Sequence, residues 1–197
     1  FTGSTGVAKQ VMRDAAQNLV PLTLELGGKS PTIVGRSADL DLVVEKIAMG
    51  RAQNGGQICV MPDTVYIPHE LMAEFTNRFR KLWIEMFPTT TGNADVTSVA
   101  NERHLQRIQS KIEEARAAGA RIESLGEANP DAKDRRWPLH LVIDPPKDTL
   151  IAREEIFGPA MSLVSYSDIQ DVIETINAQD RPLALYYFGR DKEEQEH

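Results

Sequence analysis

Leu22-Thr23-Leu24-Glu25-Leu26-Gly27-Gly28-Lys29-Ser30-Pro31-Thr32-Ile33-Val34 places a strand-like run on each side of a glycine pair. Leu22, Leu24 and Leu26 alternate with Thr23 and Glu25, the period of a strand. Gly27-Gly28 breaks that run, and Thr32 to Val34 reads as a second, short strand. A helix follows. Leu40, Val43, Val44, Ile47 and Ala48 form one apolar stripe, with Asp39 as N-cap and Asn54-Gly55-Gly56 as its end. Thr64 to Ile67 is the next strand. A strand, a helix and a strand in succession make a parallel unit.

The same alternation extends in both directions. Upstream, Val7, Val11, Met12, Ala15 and Leu19 recur at helical spacing, and Pro21 is expected to stop that helix. Downstream, Leu71 to Met86 and about Ser98 to Ala118 read as long amphipathic helices. Arg121 to Leu125 and Leu139 to Ile143 read as strands around a polar loop, Gly126 to Arg136. The last third gives a strand at Met161 to Tyr166, a helix at Asp168 to Asn177 and a strand at Leu183 to Phe188. The expected architecture is α/β, with a mostly parallel sheet flanked by helices.

Composition narrows the function classes. The 41% hydrophobic and 26% charged residues suit a soluble globular chain. A net charge of -7 supplies no basic footprint, so nucleic acid is not an expected partner. No apolar run approaches the roughly 20 residues of a membrane span. Phe1 to Gly6 has no charged segment before an apolar core, so it does not read as a secretory signal, and a cytoplasmic location is expected. The lone cysteine excludes an internal disulfide framework. His69, His104, His140 and His197 lie far apart, so no metal site is expected. The chain opens on Phe1 rather than Met, and it reads as a piece of a longer protein.

Four segments can carry chemistry. Phe1-Thr2-Gly3-Ser4-Thr5-Gly6-Val7 brings small residues to a helix start, where free N–H groups can meet an anion or a turn can simply cap the helix. Glu25, opposite the leucines at a strand end, can act as a general base or sit as a solvated or salt-bridged carboxylate. Asn54-Gly55-Gly56-Gln57-Ile58-Cys59 gives a polar, glycine-rich approach to a thiol. Its sulfur can serve as a nucleophile toward a carbonyl carbon, or be buried in the core as free cysteines often are. Glu154-Glu155-Ile156-Phe157-Gly158-Pro159 puts a carboxylate and an aromatic two residues apart, on one side of an extended segment, or forms an ordinary Gly-Pro turn.

Together, in this order and at these separations, the four segments resemble the aldehyde dehydrogenase superfamily, whose signatures are a G-S-T turn, E-L-G-G-K-S-P, G-Q-x-C and E-E-I-F-G-P. The resemblance covers essentially the whole chain. Gly56 to Val65, with Pro62-Asp63 shortly after the cysteine, is similar to the class 3 and coniferyl aldehyde dehydrogenase branch. Ala8 departs from the family's frequent Gly in G-S-T-x-x-G, and its methyl is expected to tighten helix packing without loss of binding.

The resemblance implies an NAD- or NADP-dependent oxidoreductase that turns an aldehyde, aromatic such as coniferyl aldehyde or aliphatic, into the carboxylic acid. Cys59 matches the nucleophile and Glu25 the general base. Gly3 and Ser4 match the cofactor-side helix start, Leu26 lies near the nicotinamide, Glu155 matches the carboxylate that holds the nicotinamide ribose, and Phe157 is its aromatic neighbour. Asn54 shares the loop and receives no role. Residues 1–27 are then a remnant of the Rossmann-type cofactor domain and 28–197 an incomplete catalytic domain. The chain alone is expected to be inactive, and the parent to be a homodimer or homotetramer. Two other readings stand beside this one: a non-catalytic scaffold of the same family, disfavoured by the joint presence of Glu25, Cys59, Glu155 and Phe157, and a coenzyme A-acylating semialdehyde dehydrogenase, which often lacks the base.

Overall fold

A computed structural model of the chain describes residues 1–127 and 133–196. The start of the chain pairs strand β1 (Thr2–Gly3) in parallel with β2 (Glu25–Leu26), with helix α1 (Thr5–Gln17) between them. The remaining strands are β3 (Pro31–Val34), β4 (Thr64–Pro68), β5 (Arg121–Leu125), β6 (Leu139–Ile143), β7 (Ala160–Tyr166) and β8 (Tyr186–Phe188). They form one six-stranded sheet in the order β5-β6-β7-β4-β3-β8. Only the β5–β6 pair is antiparallel. The α/β architecture with a mostly parallel sheet is therefore the one the sequence implies.

Alternation along the strands sends side chains into cores on both faces, as a parallel sheet requires. Val65 and Ile67 of β4, Leu139, Leu141 and Ile143 of β6, and Met161 and Leu163 of β7 share one core with α2 (Leu40–Ala52) and α3 (Met72–Met86). Val142 and Ala160 point the other way, into a core with α4 (Glu102–Ala117) and α5 (Leu150–Arg153). Ile33, Tyr66 and Tyr166 pack on that same side against Val172 of α6 (Ile169–Asn177). Along α3, Phe75, Phe79 and Trp83 stack in sequence with centroids 5.8 Å apart, and Phe87 just beyond the helix tilts against Trp83 at 4.9 Å.

Several boundaries move, each for a local reason. Asp39 does cap α2, accepting from Asp41 N at 3.2 Å and Leu42 N at 3.3 Å. The first helix ends at Gln17, before Pro21. Leu19 takes φ 54° and is 92% exposed, while Val20 N bonds back to Ala15 O at 3.1 Å. Thus Leu19 closes a left-handed C-cap and is not part of the apolar stripe. The Leu22–Leu26 strand shortens to Glu25–Leu26 because its partner strand is only two residues long. The long fourth helix starts at Glu102, since Asn101 accepts from His104 N at 2.9 Å and caps it there. The Leu183–Phe188 strand begins only at Tyr186, opposite Thr32. Short helices α5 and α7 (Lys192–Glu196) carry too few turns for periodicity to show. Residues 128–132 of the expected polar loop lie outside the described residues.

Candidate active site

Three of the four chemical segments lie before strands at the amino-terminal edge of the parallel sheet, and the first is joined to the second through the β1–β2 pair. Cys59 lies five positions before the first residue of β4, and Glu155 five before that of β7. The two strands are direct neighbours, with Thr64 beside Ser162. The turns leading into adjacent parallel strands are therefore brought together, whatever their separation in sequence.

Cys59 is exposed, so the core-cysteine alternative does not hold. Its approach is built from unusual backbone. Asn54, Gly55 and Gly56 follow α2 with φ of 50°, 61° and 75°, three successive left-handed residues. Gly56 has no room for a side chain: a Cβ would lie 2.6 Å from Gly158 O and overlap the Arg51 guanidinium. The glycine is thus required by close approach as well as by φ. Gln57 is buried and pins the loop from within. It donates to Asn54 O and to Ser98 O, each at 3.0 Å, and accepts from Ala100 N at 2.8 Å. Asn54 donates to Gln57 O at 3.1 Å, a structural role that the sequence did not assign. The turn then closes through Met61 N and Ile58 O at 3.0 Å, with Cys59 at its apex. Among the described residues the Cys59 N–H has no acceptor.

Glu25 stands exposed in β2, paired with Thr2, and its N–H donates to Phe1 O at 2.9 Å. Among the described residues no salt bridge engages its carboxylate, which leaves it solvated. Gly3 lies beside Leu26 in the same ladder. Ser4 occupies the N-cap of α1 without a side-chain cap bond, so the N–H groups of the first turn stay open. Ala8 is the one fully buried residue of α1.

Glu155 touches the glycine pair directly. Its carboxylate lies over Gly27, where any Cβ would overlap it, and Gly28 N–H donates to it. Burial pushes this carboxyl above its ordinary pKa, with the Gly28 hydrogen bond pulling the other way. Phe157 corrects one expectation. Its φ of 50° is left-handed, so Glu155 and Phe157 do not project from one side of an extended segment. Around this turn Gly158 lies against the tip of the Ile108 side chain, and Arg51 and Arg107 donate to the Gly158 and Ile156 carbonyls.

Those cations are what the sequence reading missed. Lys29 and Asp63 form a buried ion pair. Lys29 also donates to Ile151 O at 2.8 Å, and Asp63 accepts from Ile156 N at 2.7 Å. Arg51 is 1% exposed and donates to Pro62 O, Gly158 O and Ala160 O. Desolvation lowers its pKa to about 10, opposed by the charge of Asp63, so it remains a cation at neutral pH. Arg107 reaches Glu155 O at 3.2 Å and Ile156 O at 2.6 Å, and Lys111 reaches Glu155 O at 3.1 Å. Lys111 also pairs with Glu154 at 2.9 Å, which holds that carboxyl below its usual pKa. One signal was present in the sequence: Arg51 continues the Val44, Ile47, Ala48 stripe at helical spacing, the mark of a cation on a buried face. Among the described residues no cluster of metal-ligating side chains occurs.

Residues 1–197, the whole chain, match the sequence profile of the Aldehyde dehydrogenase family. The chain belongs to the aldehyde dehydrogenase family. A probable coniferyl aldehyde dehydrogenase of Caulobacter vibrioides is 43% identical over 199 residues, covering 100% of this chain and 41% of that protein. Among solved structures, the substrate-bound state of Staphylococcus aureus AldH superposes with a TM-score of 0.89 at 31% identity, over 100% of this chain and 42% of that one. An NADP-dependent glyceraldehyde-3-phosphate dehydrogenase of Bacillus halodurans, complexed with NADP, gives 0.85 at 28% identity, over 98% and 40%. This aldehyde dehydrogenase chain thus spans about two fifths of the length of the relatives it matches.

Proposed function

We propose that the protein to which this chain belongs oxidises an aldehyde to the carboxylic acid, with Cys59 as nucleophile, Glu25 as general base and NAD or NADP as oxidant. The observation that carries this reading is an exposed Cys59 with a free backbone N–H, on a turn docked against the glycine loop that follows Glu25 and receives Glu155. The cofactor's expected contacts fit the residues present. Gly27 leaves room only for the Glu155 carboxylate, whose oxygens can accept from ribose hydroxyls, and the open first turn of α1 behind Gly3 and Ser4 offers N–H donors to a diphosphate. Leu26 borders the same loop, and Phe157 completes the set on the opposing segment.

The Cys59 thiolate attacks the aldehyde carbon and forms a thiohemiacetal, its oxyanion accepting from the Cys59 N–H. Bound nicotinamide supplies a two-electron acceptor for the hydride that leaves this carbon. The thioester remaining on Cys59 is cleaved by water, from which Glu25 takes a proton, releasing the acid and restoring the thiol. In this reading residues 1–27, which hold the separate β1–β2 pair, belong to the cofactor domain, and residues 28–197 belong to the catalytic domain. The substrate is an aromatic aldehyde of the coniferyl type or an aliphatic one. The parent acts in the cytoplasm as a homodimer or homotetramer.

Two measurements test this. The full-length protein is expected to form NADH or NADPH from an aromatic or aliphatic aldehyde, whereas the 197-residue chain shows no turnover; a full-length protein inert toward a panel of both aldehyde classes would contradict the proposal. Glu25→Gln in the full-length protein is expected to leave a stoichiometric burst of reduced cofactor, followed by a steady state slowed about a hundredfold. Loss of the burst together with the steady state would move Glu25 out of the deacylation step.

A further inference from the structure

Between the buried side chains of Gln57 and Met61, the stretch that carries Cys59 has no buried side chain of its own. Cys59 is exposed, Val60 is 37% exposed and Ile58 is half-buried. Between those two buried side chains the exposed stretch keeps its place through its backbone polar groups. Two such groups are engaged from outside. The Tyr186 hydroxyl donates to Val60 O at 2.7 Å, a contact that spans 126 residues of sequence. The Ser30 hydroxyl reaches Cys59 O at 3.4 Å, a long and weaker contact. Tyr186 is the first residue of β8, and β8 lies on β3 with Tyr186 beside Thr32. The phenol therefore extends from the edge strand past the start of β3 to the turn before β4. Its own position is set by the sheet, so it can act as a fixed post for the turn.

We propose that Tyr186 is a positioning residue for the nucleophile, its hydroxyl fixing the Val60 carbonyl and through it the turn that presents Cys59. The proposal rests on Cys59 being the nucleophile. The physical consequence is specific. Holding the Val60 carbonyl orients the peptide plane that follows Cys59 by one residue, and with it the Met61 N–H that closes the turn on Ile58 O. Without the hydroxyl, the thiol samples more orientations and spends less time in the one that reacts.

The test uses the full-length protein and the variant Tyr186→Phe, with Tyr186→Leu beside it. The alkylation rate of Cys59 by iodoacetamide is measured across pH, alongside kcat, KM for aldehyde and thermal midpoint. The expected result is a two- to tenfold fall in the plateau alkylation rate and in kcat for both variants, roughly the worth of one neutral hydrogen bond. The thermal midpoint of Tyr186→Phe should stay at the wild-type value. Wild-type alkylation in Tyr186→Phe would show that the ring and not the hydroxyl matters, and would overturn the proposal. Unfolding of Tyr186→Phe would assign the hydroxyl to the fold at large and overturn it as well. Should the wild-type protein oxidise no aldehyde, the functional reading fails by that measurement, while the alkylation rates still decide the role of Tyr186.

Discussion

Replacing Cys59 by Ala in the full-length protein is expected to abolish aldehyde-dependent reduction of the nicotinamide, lowering kcat by a factor on the order of 10³ or more. The reason lies in the geometry. Cys59 is the single cysteine of the chain, it is exposed, and its turn is anchored at Gln57, Met61 and Val60 without burying the thiol. Removing the sulfur deletes the atom proposed to form the covalent bond and leaves the anchors in place. Cofactor affinity should accordingly change less than about threefold, because the contacts proposed for Glu155 and α1 do not involve the sulfur. Stopped-flow absorbance of the reduced nicotinamide, with cofactor titration of the same variant, measures both quantities. A Cys59→Ala protein that retains near-normal turnover would remove Cys59 from the mechanism, and the role proposed for Tyr186 with it.

The largest effect on stability is expected at Asp63. This side chain is 3% exposed and ties together three segments that are remote in sequence. One oxygen pairs with Lys29, and the other accepts from Ile156 N at 2.7 Å. Its backbone is held too, with Asp63 N donating to Ser30 O and Asp63 O accepting from Ser162 N, each at 3.0 Å. Asp63→Ala strands the Lys29 ammonium and the Ile156 N–H in a buried site. Breaking a buried pair from one side costs about 3–5 kcal/mol, far more than the pair itself contributes. Activity should fall with stability, since Ile156 lies between Glu155 and Phe157. The double variant Lys29→Met, Asp63→Leu should recover only part of the loss. It removes both charges but still leaves the Ile156 N–H unpaired, worth about 1–3 kcal/mol. Urea unfolding of the three proteins distinguishes these cases; an Asp63→Ala midpoint equal to wild type would show that the pair does not hold the site.

The sheet could be read from the sequence because its longer strands and the long helices announce their period within a few residues. Thr64–Pro68, Leu139–Ile143 and α2 appear in the structure within a few residues of where alternation and capping put them. Boundaries slipped where a polar contact outranked the hydrophobic pattern, as at Asn101 and Leu19. The candidate site was legible through motifs, not through periodicity. A carboxylate, a glycine pair and a lone thiol have chemical meaning in a known order, whereas no local pattern says that Gly27 will meet Glu155.

By itself, then, the sequence determined the α/β class, its family, and the residue types able to attack a carbonyl carbon and activate water. The tertiary structure decided how they are held. The left-handed run Asn54–Gly56, the turn at Phe157, the Lys29–Asp63 pair and the reach of Tyr186 to Val60 all depend on contacts between segments separated by up to 126 residues. Burial and partner choice for a charged or polar side chain are properties of the assembled chain. Arg51 is a surface residue by type and a core residue by position, and the carbonyls of Pro62, Gly158 and Ala160 that satisfy its guanidinium are brought to it by the fold.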